Sequence, residues 1–272
     1  MTDTTTGTAA KTALITGASS GIGAVYADRL AKRGHDLILV ARDEARLIAL
    51  AERLRRETGR TVDVLRADLT DSADVAKVEQ RLTEDAAIGL LINNAGMSLN
   101  GDILDNGVAE YERIIALNIT APTRLAGAAA KAFIARGTGA IVNIASVLAL
   151  APEGFDGIYS GTKAYLLNLS QSLSALHGDK GLYTQAVLPG ATRTEIWERS
   201  GKDVDSFPAE MVMGVDDLVD AALVGFDRGE TITIPPLADE AVWTAIQDAR
   251  LAFAPVMSKR DVAPRYRETV DA

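Results

Sequence analysis

Cysteine is absent from the 272 residues, which excludes disulfides, thiolate catalysis and cysteine metal ligands. Only two histidines are present, His35 and His177, and neither has a second ligand at metal spacing, so we expect no metal site. Long apolar runs are missing because Gly, Arg or Asp interrupts each candidate before the length of about 18 residues that a membrane span needs. Residues 1–11 lack the basic flank and apolar stretch of a signal peptide and are expected to be a flexible lead-in. We therefore expect a cytoplasmic protein without a membrane partner.

An excess of positive charge is also absent. The chain carries 37 acidic and 28 basic side chains, a formal net charge of −9, and no run of Lys or Arg that would follow a nucleic-acid backbone. Nucleic acid is therefore not expected as a partner. Apolar residues make up 47% of the chain, which is enough to bury a sizeable core.

Short β-rich segments alternate with helical patterns along most of the chain. Several segments are apolar almost throughout, which is typical of parallel strands with helices on both faces. The order βαβαβ predicts an α/β fold with a doubly wound, Rossmann-like, seven-stranded parallel sheet. Asp43 and Ser72 are expected to cap two of the helices. The predicted strands cover residues 12–16, 36–40, 62–66, 89–93, 140–144, 182–188 and 231–234.

Neither a Pro/Ser-rich linker nor a repeat interrupts this pattern, so residues 12–236 are predicted to form one domain. Residues 237–272 continue past the last strand, with a helical pattern around Val242, Ile246 and Leu251. We expect this extension to pack on the same domain.

A glycine-rich turn follows the first predicted strand directly and opens a helix. Its sequence is Thr16-Gly-Ala-Ser-Ser-Gly-Ile-Gly23, and its spacing departs from the common dinucleotide fingerprint. Glycines allow a sharp turn and close approach to a pyrophosphate, while unpaired N–H groups and the helix dipole favour an anion. Taken alone, such a turn also serves ordinary tight packing.

Three further motifs follow in a fixed order, and together with the turn they resemble those of short-chain dehydrogenases/reductases. The resemblance spans roughly residues 12 to 234, and it implies a reversible hydride transfer between a nicotinamide cofactor and a carbonyl carbon. The motifs are Asn93-Asn94-Ala95-Gly96, Tyr159-x-x-x-Lys163 and Pro189-Gly190-x-Thr192.

The resemblance implies NADP (NADPH) in preference to NAD. The family places an acidic residue for the adenosine ribose at the end of the second strand, where this chain has Ala41, and a basic residue for the extra phosphate one step later, where it has Arg42. Arginine offers a planar charged fork that suits a phosphate. Asp43 is an alternative ribose acceptor by simple counting, but we interpret it as a helix cap.

Other cofactor contacts are implied by the same resemblance. Asp68 matches the acceptor for the adenine amino group, with a turn or helix cap as the alternative, and Thr192 matches the residue that hydrogen-bonds the nicotinamide carboxamide. The full set of expected cofactor-binding residues is Gly17, Ser19, Ser20, Gly21, Ile22, Gly23, Arg42, Asp68, Leu69, Asn94, Ala95, Gly96, Tyr159, Lys163, Pro189, Gly190 and Thr192.

The expected catalytic residues are Asn118, Ser146, Tyr159 and Lys163. Tyr159 and Lys163 share a helix face, and an adjacent ammonium lowers a tyrosine pKa by roughly 1 to 3 units, so we expect a lowered pKa at Tyr159. By resemblance, Tyr159 is the proton donor, Ser146 polarises the carbonyl oxygen, and Asn118 kinks a helix and holds water that links Lys163 to solvent.

The substrate is expected to be an apolar ketone or aldehyde, because the loop 190–214 carries apolar bulk where the family varies. Asn100, Leu148, Phe155 and Trp197 are candidate pocket walls, with ordinary packing as the alternative. We expect a homodimer or homotetramer, in which the small residues 126–130 permit close helix contact. Two other functions stay open at this point: a β-ketoacyl-carrier-protein reductase, disfavoured by the acidic charge, and a non-catalytic NADP-binding regulator.

Overall fold

The computed structural model describes residues 11–101, 103–154 and 156–267. Within them, a seven-stranded, all-parallel sheet has the strand order β3-β2-β1-β4-β5-β6-β7. The fold class is therefore the predicted Rossmann-like one, and the strand order reverses between β1 and β4, where open sheets of this type bind ligands. The strands are β1 (Thr12–Thr16), β2 (Leu37–Ala41), β3 (Val62–Arg66), β4 (Ile88–Asn93), β5 (Gly139–Ile144), β6 (Leu182–Val187) and β7 (Ile232–Thr233).

Eight helices flank or follow these strands within the first 236 residues that the structure describes. Each crossover between neighbouring parallel strands contains at least one of them, as parallel pairing requires. They are α1 (Gly21–Lys32), α2 (Glu44–Thr58), α3 (Ser72–Glu84), α4 (Val108–Ile115), α5 (Ala121–Arg136), α6 (Gly157–His177), α7 (Ile196–Arg199) and α8 (Val215–Asp227).

The core is divided between the two faces of the sheet. Ala13 and Ile15 belong to a buried cluster with α1, α2 and α8, whereas Leu14 between them belongs to a second cluster with α3 and α5. Successive residues of a strand point to opposite faces, and here both faces are covered. This is why the central strands are apolar at nearly every position.

Helix starts agree with one predicted cap and correct the other. The Asp43 side chain accepts a hydrogen bond from the Arg46 amide at the start of α2, as expected. The cap of α3 is Asp71 and not Ser72, because the Asp71 carboxylate accepts from two amides of the first turn and Ser72 is already helical. Both Asp and Ser are common helix caps, so the path of the backbone into the helix decides which of the two residues caps it.

The small-residue run in α5 faces the protein's own core more than was expected. Ala126, Ala129 and Ala130 are buried in the cluster that α5 shares with α3, which leaves Gly127 and Ala128 as the more accessible members. The small residues therefore serve helix packing within the chain. The expected homo-oligomer remains a prediction.

The chain divides into two compact units, Met1–Pro236 and Leu237–Ala272. The second unit contains the helix α9 (Glu240–Phe253), which includes the pattern noted around Val242 and begins after the cap Asp239. The expected packing of this extension on the first unit stays a prediction. Of the predicted lead-in, only Lys11 is among the described residues. No helix in the described ranges is long and apolar enough to cross a membrane.

Candidate active site

The glycine-rich turn forms a cradle between β1 and α1 that leaves no room for a side chain at Gly17 or Gly23. Gly17 and Gly21 have φ values of 67° and 53°, in the left-handed region that glycine adopts most readily. A Cβ at Gly23 would lie 2.4 Å from the Gly17 carbonyl oxygen. Ser20 precedes α1 in an extended conformation, and its side chain makes no cap bond to the helix. The open first turn of α1 suits a phosphate group, so the residues fit a dinucleotide.

Asn94, which directly follows the neighbouring strand β4, braces this cradle through Thr16 at the end of β1. The Thr16 hydroxyl accepts hydrogen bonds from the Asn94 and Ala95 amides, both at 3.0 Å, and the Asn94 amide side chain donates to the Thr16 carbonyl at 2.9 Å. Thr16 was not among the expected site residues, although its position at the head of the motif was the signal. Asn94 holds the cradle through its side chain as well as bordering the cleft.

A single cleft of about 790 Å³ collects most of the expected residues at the carboxyl ends of the strands. Of the expected cofactor-binding and catalytic residues, only Gly23 and Asn118 do not border it. Its lining includes Gly17, Ser19, Ser20, Gly21, Ile22, Arg42, Asp68, Leu69, Asn94, Ala95, Gly96, Ser146, Tyr159, Lys163, Pro189, Gly190 and Thr192.

Arg42 and Asp68 border one end of the cleft, with 3.9 Å between a guanidinium nitrogen and a carboxylate oxygen. The Asp68 carboxylate also accepts hydrogen bonds from the Thr70 amide and hydroxyl. Burial acts to raise the pKa of Asp68, but these hydrogen bonds and the charge of Arg42 hold it below its usual value. Asp68 therefore stays ionised. The helix cap of α3 is Asp71, so the alternative interpretation of Asp68 as a helix cap does not hold.

Tyr159 and Ser146 meet at the other end of the cleft. Ser146 lies two residues after the end of β5 and is 7% exposed, and its hydroxyl accepts a hydrogen bond from the Leu148 amide at 3.2 Å. Burial raises the pKa of Tyr159 to about 12, a hydrogen bond with Ser146 acts to lower it, and the nearby carboxylate of Asp156 acts to raise it. The pKa expected to be lowered is raised, because removal of the hydroxyl from water disfavours the phenolate.

Lys163 is close to Tyr159 but does not offset this burial. Its ammonium lies 5.6 Å from the centre of the Tyr159 ring and donates to the Ile144 carbonyl at 2.9 Å. Lys163 is itself buried, which lowers its pKa to about 8. Burial thus disfavours the charged form of both Tyr159 and Lys163. The attraction between the phenolate and the ammonium, predicted from their four-residue spacing, is weaker than this effect of burial.

Asn118 supports the site from a distance. It lies in a π-helical turn, Ala116–Thr120, which interrupts the helical path between α4 and α5 as expected for a kink. Its side chain exchanges hydrogen bonds with the Met97 amide and carbonyl, both at 2.9 Å, and donates to the Thr162 hydroxyl at 3.1 Å. It therefore ties α6 to the loop after β4. The expected water link to Lys163 stays a prediction.

The loop after β6 crosses the cleft and contains a residue that the sequence reasoning missed. The Thr192 hydroxyl donates to the Gly190 carbonyl at 3.1 Å, and the Trp197 indole donates to the Thr192 carbonyl at 2.8 Å. Thr194 borders the cleft and lies against Gly21 of the cradle. The only sequence signal for Thr194 was its hydroxyl two residues after Thr192.

The candidate pocket walls are only partly supported. Trp197 borders the cleft and packs against the Phe207 ring at a centroid distance of 5.2 Å. Asn100 and Leu148 do not border it, and Phe155 lies outside the described residues. Bordering residues that were not expected include Ser98, Arg113, Glu195 and Arg199.

Comparisons with known proteins agree on one family. The family model described as short chain dehydrogenase matches residues 11–205. A short-chain dehydrogenase from Sphingobium yanoikuyae, solved in complex with NADPH, is 57% identical with a TM-score of 0.92, covering 94% of this chain and 100% of that chain. A bulky-bulky ketone specific alcohol dehydrogenase from Comamonas testosteroni is 50% identical with a TM-score of 0.88, covering 95% and 99%. Mouse 17-beta-hydroxysteroid dehydrogenase type 3 is 32% identical over 73% of this chain and 67% of that protein.

Proposed function

Because the chain belongs to the short chain dehydrogenase family of oxidoreductases, we propose that it is an NADPH-dependent reductase of apolar ketones and aldehydes. The observation that carries the proposal is one cleft in which the glycine cradle lies at one side and Ser146, Tyr159 and Lys163 lie at the other. A bound nicotinamide would supply the hydride. The remaining chemistry belongs to the side chains of this chain.

Tyr159 is the proton donor and Ser146 the hydrogen-bond donor to the substrate oxygen. With a pKa raised to about 12, Tyr159 is a neutral phenol at neutral pH, which is the form that can give a proton to an oxygen that becomes an alcohol. Ser146 follows β5 within hydrogen-bond range of Tyr159, so both hydroxyls can reach one oxygen.

Replacement of Tyr159 tests the proposed reaction directly. Tyr159→Phe removes only the hydroxyl, so turnover should fall to a few per cent or less while dinucleotide binding, followed by fluorescence titration, stays intact. Turnover above that level with normal binding would contradict the assignment of Tyr159.

Arg42 is the proposed ligand of the NADPH 2′-phosphate. Its side chain is half exposed at the cleft, its partner Asp68 is as far as 3.9 Å away, and Ala41 before it has no acceptor for a ribose hydroxyl. The neighbour from Sphingobium yanoikuyae was solved with NADPH. Arg42→Leu should raise the KM for NADPH about tenfold or more, as loss of a hydrogen bond to a charged group does, and leave that for NADH nearly unchanged. Equal effects on both would refute this role.

Bulky, apolar ketones are the proposed substrate class. The loop over the cleft presents the ring of Trp197, which packs against Phe207, and the neighbour from Comamonas testosteroni is described as specific for bulky-bulky ketones. Absorbance decay of NADPH and NADH should be followed with aryl ketones, diketones, keto esters, aldehydes and ketoacyl thioesters. Highest kcat/KM for aryl ketones supports the proposal, whereas a preference for ketoacyl thioesters would indicate the carrier-protein reductase.

We also propose that the protein assembles at least as a homodimer. None of the residues of α9 is buried, among them the large apolar residues Ile246 and Phe253, and exposed apolar residues of this kind often mark a contact between chains. Light scattering should give a particle mass of two or four chains, and a mass of one chain would refute the proposal.

A further inference from the structure

The loop after β6 brings a guanidinium to the phosphate cradle. Arg199, at the end of the short helix α7, borders the cleft, and its Nη2 lies 3.4 Å from the Ser20 hydroxyl. Two residues of the same loop face the same region: Thr194 lies against Gly21, and Glu195 borders the cleft beside it. The loop that borders the substrate end therefore also lies across the cofactor end.

Arg199 is held in this place by an ion network. Glu195 pairs with Arg199 one helical turn away and with Arg46 of α2, whose Nη1 lies 2.9 Å from both Glu195 carboxylate oxygens. Burial acts to raise the pKa of Glu195, but these two arginines hold it below its usual value. The ionised carboxylate thus links a helix of the sheet layer to the loop and fixes the direction of Arg199.

The cradle itself offers no cation. Its residues 16–23 are threonine, glycine, alanine, serine and isoleucine, so they can give a diphosphate only N–H and O–H donors. A dinucleotide diphosphate carries negative charge at that point, and the planar fork of an arginine suits it in geometry and charge. Arg199 places such a cation beside Ser20 of the cradle.

We propose that Arg199 binds the diphosphate of the dinucleotide and that Glu195 and Arg46 are positioning residues for it. The inference rests on the proposed use of a nicotinamide dinucleotide. It makes the loop after β6, which also borders the substrate end of the cleft, part of the cofactor site.

The test compares dissociation constants for NADPH and NADH, measured by fluorescence titration of the whole protein. NADPH and NADH share the diphosphate, so Arg199→Met should raise both constants by the same factor, about tenfold, the lower range for a lost hydrogen bond to a charged group. Arg193→Met is the matched control, since Arg193 lies in the same loop but pairs with Asp205 outside the cleft. It should leave both constants within about twofold.

Further variants separate this inference from the proposed function. Arg199→Lys keeps the charge and should recover part of the affinity for both dinucleotides. Glu195→Gln should lower the affinity for both dinucleotides, but by less than Arg199→Met does. Constants unchanged in Arg199→Met, or a change for NADPH alone, would overturn the inference and leave the proposed function standing. A wild-type protein that binds neither dinucleotide would overturn both.

Discussion

Replacement of the buried lysine should make the protein more stable while it removes activity. Lys163 is 5% exposed, and burial lowers its pKa from 10.5 to about 8. A fall of that size corresponds to about 3 kcal/mol that the folded chain loses by keeping the ammonium out of water. Methionine has a similar shape and no charge. Lys163→Met gives up one hydrogen bond to the Ile144 carbonyl, worth about 1 kcal/mol, so the net gain at pH 7 is about 2 kcal/mol.

The pH dependence gives this prediction its sign. Between the folded pKa of about 8 and the unfolded value of 10.5, the unfolded chain binds the proton of Lys163 and the folded chain does not. The free energy of unfolding of the wild type therefore rises with pH across that window, whereas the variant lacks this rise. At pH 10 most of the penalty is gone, and the two proteins should be about equally stable.

Urea unfolding measures the free energy of unfolding of wild type and variant at pH 7 and at pH 10. The two proteins are compared at equal concentration and without dinucleotide. At pH 7, the expected difference corresponds to a Tm higher by about 4–8 °C for Lys163→Met. Lys131→Met, at an exposed position of α5, is the control and should change the free energy of unfolding by about 0.5 kcal/mol or less at both pH values. A variant no more stable than wild type at pH 7, or a gain that persists to pH 10, would refute the reasoning.

Two further predictions concern Tyr159, the proposed proton donor, and the cradle. Asp156→Asn keeps the cap of α6 but removes the negative charge that helps to raise the pKa of Tyr159. The pH profile of kcat/KM for alcohol oxidation should therefore move to lower pH. An unmoved profile would contradict the effect of Asp156 on the pKa of Tyr159. Gly23→Ala should abolish dinucleotide binding in a fluorescence titration, because its Cβ would lie 2.4 Å from the Gly17 carbonyl oxygen. Gly127→Ala, whose Cβ meets nothing within 4 Å, should bind normally, and equal losses in both variants would contradict the steric argument.

The strands of the sheet could be predicted because the composition of each short segment already indicates its burial. Strands such as Leu37–Ala41 are buried throughout, so their composition alone marks them as covered on both faces. The choice of Asp71 over Ser72 as the cap of α3 could not be predicted in the same way. Both side chains can accept from the first-turn amides, and only the backbone path from β3 decides which one precedes the helix.

Site membership was predictable where a motif fixes position, and less so where burial or distant contacts decide. Gly17, Ser146 and Tyr159 border one cleft because each follows or faces a strand end. The pKa of Tyr159 depends on how much water the surrounding fold excludes, which the four-residue spacing to Lys163 does not contain. The pairing of Arg46 with Glu195 joins residues 149 positions apart, without any shared motif to indicate it.

Charge is distributed unevenly along the cleft, and this distribution separates binding from chemistry. At the end where Tyr159 and Ser146 meet, burial disfavours the phenolate of Tyr159 and the ammonium of Lys163 alike, so the proposed proton donor is held neutral. The charged side chains lie at the opposite end, where Arg42 and Arg199 border the cleft and remain half exposed. Phosphates would meet cations at the rim, where water lowers the cost of fixing a charge, and a carbonyl would meet hydroxyl donors inside, where their hydrogen bonds are stronger. Substitutions at the rim should therefore change dinucleotide affinity, and substitutions at the inner end should change turnover.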